Sequence, residues 1–147
     1  MYNTDNNCLI NYTVHITPSI TYTKYSIPLR GGDNQISQSP EIHEAINYII
    51  QNYSQKIRVE DIANQIHMNP SYVSTKFKNE IGISISDYLL NYRLSIAKKL
   101  LVDNSNASVC DIAIASGFYD SAHFSKCFKT AFGITALQYR KQNTTDN

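Results

Sequence analysis

Asp61-Ile62-Ala63-Asn64-Gln65-Ile66-His67-Met68-Asn69-Pro70-Ser71-Tyr72-Val73-Ser74-Thr75-Lys76-Phe77-Lys78 is one of two copies of a single pattern. The other is Asp111-Ile112-Ala113-Ile114-Ala115-Ser116-Gly117-Phe118-Tyr119-Asp120-Ser121-Ala122-His123-Phe124-Ser125-Lys126-Cys127-Phe128-Lys129. Both open on Asp-Ile-Ala and close on Phe-Lys. A glycine and a hydroxyl residue follow each: Gly82 and Ser84, then Gly133 and Thr135. Apolar residues recur at helical spacing, as Ile62, Ala63, Ile66, Val73, Phe77 and Ile81 in the first copy and Ile112, Ala113, Phe124 and Phe128 in the second. Asn69-Pro70 supplies an N-cap and a first-turn proline, and Asp120 can cap the matching helix after a turn at Gly117.

Each copy therefore reads as a short helix, a turn, and a helix whose non-core side is hydroxyl-rich and basic. That is the build of a helix-turn-helix, whose second helix enters the DNA major groove. Small or hydroxyl residues early in that helix let its backbone approach base edges, and lysines further along reach guanine or phosphate.

Outward from the copies, the period stays helical. Ser84 and Asp87 form a capping pair for a long helix over 85–102, with Ile85, Tyr88, Leu89, Tyr92, Ile96 and Leu100 as its stripe. Eighteen helical residues span about 27 Å, against about 34 Å between major-groove faces on one side of B-DNA. One continuous helix plus its turns could then present both reading helices to one duplex. Asn104-Ser105-Asn106 breaks it, and Ser108 with Asp111 starts the next. Upstream, Pro40 opens a helix with Ile42, Ile46, Ile49, Ile50 and Tyr53 inward, and a short helix follows over 59–66. Thr135 caps a last short helix holding Leu137 and Tyr139.

The chain has 147 residues and a formal charge of only +1, so net charge gives no argument for a nucleic-acid partner. Over 40–142 there are 11 Lys/Arg against 9 Asp/Glu, a slight basic excess. The three cysteines, Cys8, Cys110 and Cys127, show no ligand spacing. They read as free thiols in a reducing cytosol, with no metal site and no disulfide framework. No secretory start and no membrane-length apolar run is present. No glycine-rich phosphate loop, nucleophile context or carboxylate pair suggests an enzyme, and no cofactor or small-molecule effector site is evident.

Before Pro40 the chain changes character. Gly31 to Pro40 is polar and turn-rich and reads as a linker. Ile10, Tyr12, Val14 and Ile16 alternate with polar residues, and Ile20, Tyr22 and Ile27 follow Pro18-Ser19. Two short strands in a hairpin are expected, or a loose segment, since a lone hairpin is marginal in water.

The run Gly117-Phe118-Tyr119-Asp120, His123-Phe124-Ser125-Lys126-Cys127-Phe128-Lys129, Gly133-Ile134-Thr135 and Tyr139-Arg140 resembles the signature of the AraC/XylS family of bacterial regulators. His67 to Ser74 resembles that family's first helix-turn-helix. The resemblance spans about 40–142. It implies an all-α fold of seven helices, two helix-turn-helix subdomains (about 57–82 and 108–133) joined by a long helix over about 84–102. Residues 1–39 would be an extension and 143–147 a disordered tail. It implies a cytoplasmic, sequence-specific promoter binder that contacts RNA polymerase and activates.

Matching positions for base contact are Ser71, Ser74 and Thr75, then Ser121, Ala122 and Lys126. Tyr72, Lys78, His123 and Lys129 are their neighbours, with the lysines assigned to phosphates. Four departures stand out. Thr75 and Lys126 replace frequent arginines, and lysine lacks the planar fork that pairs with guanine. Ala122 can offer a base only its methyl. Ala136 replaces a proline.

About 39 residues are too few for the family's larger sensing domain. A free-standing short regulator, a fragment of a longer protein, and a chain whose hairpin recruits a partner all stay open. The rival to a DNA reader is a short protein of this type that binds and inhibits another regulator.

Overall fold

The helices form where capping residues meet apolar stripes. The structure, a computed structural model, describes residues 9–17, 20–28 and 39–144. Among them are seven helices: α1 (Pro40–Asn52), α2 (Val59–Gln65), α3 (Pro70–Ile81), α4 (Ile85–Asp103), α5 (Val109–Ala115), α6 (Ser121–Phe132) and α7 (Ala136–Thr144). Strands β1 (Leu9–Thr17) and β2 (Ile20–Pro28) pair antiparallel, with Val14 opposite Tyr22. The expected turn at Pro18-Ser19, the linker over Gly31 to Gln38, and Cys8 lie outside the described residues.

The chain divides into two compact units. In one, α1, α2 and α3 enclose Ile42, Ala45, Ile49, Ile62, Ala63, Val73, Phe77 and Ile81, all nearly or fully buried. Phe77 meets the Tyr88 ring edge-on at 5.4 Å. In the other, Leu94, Ala97 and Leu101 of α4 pack with Ile112, Ala113, Phe118, Phe124, Phe128, Ala131 and Ala136. Phe128 meets Tyr139 edge-on at 5.7 Å. Each repeat thus ends with a tyrosine, six residues past the glycine cap, packed on a buried phenylalanine: Tyr88 on Phe77 of α3 and Tyr139 on Phe128 of α6.

The expected caps are present. Asn69 and Asp120 accept backbone amides of α3 and α6, and Ser108 does so for α5. Gly82 and Gly133 end α3 and α6 in left-handed conformation, at φ 88° and 76°, which only glycine adopts without cost. Ser84 and Asp87 bond reciprocally at the head of α4, and Thr135 with Gln138 at the head of α7. That second pair starts α7 without the proline the resemblance favours at Ala136.

Three expectations need correcting. The long helix carries two apolar stripes rather than one, because Leu94, Ala97 and Leu101 are as buried as Ile85, Leu89 and Tyr92. Positions i, i+3 and i+7 on a second side serve the second core. Leu137, the apolar residue named with Tyr139 in the last helix, is 55% exposed and takes no part in the core. The helix expected to stop by residue 142 continues to Thr144, where the Asn143 and Thr144 side chains donate to the Tyr139 and Arg140 carbonyls. Residues 145–147 lie outside the described residues.

Two arginines hold the loops that lead into the repeats. Arg93 donates to the carbonyls of Tyr53 and Gln55, at 2.8 Å each, just past the end of α1. Arg140 donates to Leu101 O at 3.2 Å and Ala107 O at 2.7 Å, near the end of α4. A guanidinium suits this task, since it satisfies orphan carbonyls and carries the charge a helix C-terminus favours.

Candidate nucleic-acid interface

Core packing decides which side of each reading helix faces solvent. In α3, Val73, Phe77 and Ile81 point inward. Ser71, Tyr72, Thr75 and Lys78 are therefore exposed, and Ser74 is half-buried. In α6, Phe124, Phe128 and Ala131 point inward. Ala122, His123, Ser125, Lys126 and Lys129 are exposed, and Ser121 is half-buried. Every residue singled out in the two helices is exposed or part-exposed, and none belongs to its core.

The caps fix a common register. With Asn69 and Asp120 as the same point, Ser71 matches Ala122, Tyr72 matches His123, Ser74 matches Ser125, and Thr75 matches Lys126. Lys76 then matches Cys127, and Lys78 matches Lys129. This register adds Ser125, which the sequence reading passed over. The signal lay in the extra residue of the second turn: one residue separates His67 from its cap Asn69, but two separate Gly117 from Asp120.

Side-chain partners differentiate the two surfaces. The Asn69 carboxamide accepts the Ser71 and Tyr72 amides, at 2.9 and 3.4 Å. Thr75 donates its hydroxyl to Ser71 O at 3.0 Å, so toward a ligand it offers acceptor lone pairs. Lys76 is held between Glu41 at 3.8 Å and Glu80 at 3.6 Å and touches the Tyr72 hydroxyl at 3.5 Å. Glu80 also accepts the backbone amide and hydroxyl of Ser39. Lys76 is therefore committed internally, which its place beside Thr75 did not reveal, because Glu41 lies in another helix. Among the described residues Lys78 has no ion-pair partner.

On α6, Asp120 accepts the His123 amide at 2.6 Å. The His123 ring rests against Phe118, centroids 5.7 Å apart, with Nε2 3.4 Å from Cys127 Sγ. Burial pushes the Cys127 thiol pKa up, and the Lys126 charge pulls the other way. Lys126 and Lys129 have no ion-pair partner among the described residues. Behind the helix, Lys98 lies over the Phe132 and Tyr139 rings at 4.9 and 5.4 Å, and burial lowers its pKa. Lys98 is packing material rather than interface. No cluster of three metal-ligating side chains occurs among the described residues, and no described helix is long and apolar enough to cross a membrane.

A family model described as a helix-turn-helix domain matches residues 62–142. Over 76% of its length the chain is 30% identical to the C-terminal domain of AraT, a response regulator from Geobacillus stearothermophilus, covering 92% of that structure at a TM-score of 0.71. It covers all of a transcriptional regulator structure from Chromobacterium violaceum, described as an AraC-type DNA-binding domain-containing protein, at 27% identity, 77% of this chain and a TM-score of 0.69. Among curated proteins, the lactose operon transcription activator of Staphylococcus xylosus is 34% identical over 73% of the chain. The chain spans 14% to 39% of the length of the curated relatives it matches.

Proposed function

Because the chain belongs to the AraC-type helix-turn-helix family of transcriptional regulators, we propose that it reads promoter DNA by placing α3 and α6 in successive major grooves. The reading rests on one observation. Both helices expose hydroxyls and uncommitted lysines on the side their cores leave free. Ser71, Ser74 and Thr75, with Ser121, Ala122, Ser125 and Lys126, take base edges. Lys78, Lys129, Tyr72 and His123 take phosphates or flank the bases. Residues 40–142 act as the DNA-binding part and 1–39 as an extension to it.

Activation through contact with RNA polymerase is proposed on the likeness to a lactose operon activator. The inhibitor reading is less favoured, because a protein that blocks a partner has no use for free lysines on both reading helices.

Selection of duplexes from a random-sequence pool, followed by gel shifts at stated salt, tests the proposal. A selected sequence bound with a steep salt dependence supports it. No selected duplex, together with capture of another regulator, would replace it with the inhibitor reading.

A further inference from the structure

Beside the reading surface of α3 lies an open cleft of about 320 Å³. Its apolar part comes from Val59, the first residue of α2, and from Ile85, the first residue of α4, which is 5% exposed. One wall is the edge of α3 that carries Ser74, Lys78 and Asn79; the other is the start of α4, at Ser86. We infer that this cleft seats one sugar-phosphate unit of the bound duplex. The deoxyribose would lie on Val59 and Ile85, and the phosphate would be held by Lys78 and Ser86.

Four observations carry this assignment, which rests on the DNA-reading proposal above. First, the cleft is continuous with the proposed base-reading face, since Ser74 and Thr75 border both. A strand whose bases meet α3 must run its backbone along one edge of that helix. Second, donors are available. The side chains of Ser74, Lys78, Asn79 and Ser86 have no hydrogen-bond or ion-pair partner among the described residues. Third, no carboxylate lines the cleft. Asp87, next in sequence, accepts from Ser84 Oγ at 2.8 Å and is occupied in the cap. Fourth, an apolar floor under a polar, cationic rim suits a nucleotide backbone, whose sugar is apolar on its C–H face and whose phosphate takes most protein hydrogen bonds. An enclosed effector pocket would instead bury most of its ligand, and this cleft is open to solvent.

Ser86→Glu in the full chain gives a clean test. A carboxylate in the first turn of α4 favours the helix, so folding should hold while the phosphate is repelled. With a duplex selected by the wild-type chain, Ser86→Glu should weaken binding about tenfold or more, and Lys78→Ala should lower the salt slope by about one. Methylphosphonate replacement, one phosphate at a time, should find a single position that weakens the wild type but not Ser86→Glu. If a duplex is selected yet Ser86→Glu binds it with wild-type affinity and salt slope, the cleft assignment is overturned while DNA reading stands. If the wild type selects no duplex, both fall.

Discussion

In the first repeat the turn between helices passes through a left-handed residue that is not glycine, His67 at φ 56°. In the second the same role falls to Gly117 at φ 89°. The two turns differ in surroundings as well as in residue. A Cβ on Gly117 would collide with the Tyr53 carbonyl and come within 2.8 Å of Arg93 Nε, the arginine that clasps the loop after α1. His67 is exposed and meets only the backbone cost. One repeat tolerates a strained residue because nothing crowds it; the other needs glycine for conformation and for space. The reading helices differ in the same spirit. The first spends one of its two lysines on Glu41 and Glu80, while the second leaves both free.

The hardest blow to either repeat is loss of its sealed phenylalanine. Phe77→Ala and Phe128→Ala should each cost about 3–5 kcal/mol, measured by chemical denaturation. Equal losses would show matched cores, and a near-neutral result at either would break the parallel. Gly117→Ala should cost at least the roughly 1–3 kcal/mol of a forced left-handed residue, plus the collision. His67→Gly should be neutral or gain up to about 1 kcal/mol, since it removes strain and only adds unfolded-state freedom. Should Gly117→Ala prove harmless, crowding is not what separates the two turns.

On DNA, Lys126→Ala should lose about 1–3 kcal/mol on the selected sequence and less on random duplex. Thr75→Ala, which removes a hydroxyl already donating to its own helix, should lose less. A uniform loss for Lys126→Ala on all sequences would make it a phosphate contact instead. The smallest effect belongs to Lys76→Ala, whose salt slope should match wild type because the charge is already paired within the protein. A drop equal to that of Lys78→Ala would show Lys76 free in solution. Alkylation should also reach exposed Cys110 before half-buried Cys127, resolved by peptide mass mapping.

Much of this was legible in the residues. Asn69, Ser108, Asp120, Gly82 and Gly133 announce helix ends by local chemistry, and Phe77 and Phe128 announce cores by spacing. What stayed hidden depends on contacts distant in the chain. The pairing of Lys76 with Glu41 joins two helices, so no window around Thr75 could reveal it. The second stripe of α4 was masked because Leu94, Ala97 and Leu101 interleave with the first stripe along the helix. The role proposed for Ser125 needs the cap register, and that proposed for Ser86 needs a cleft outside both repeats.

The grip of Arg140 on the Leu101 and Ala107 carbonyls also bears on how far the molecule can be trimmed. That side chain fastens a loop 33 residues upstream, so α7 works as a buckle rather than an appendage. A version stopped at Tyr139 would retain α3 and α6 in its sequence yet leave the run into α5 unfastened. Limited trypsin digestion should then cut it sooner, whereas removing only the residues after Thr144 should leave the digestion pattern as it was.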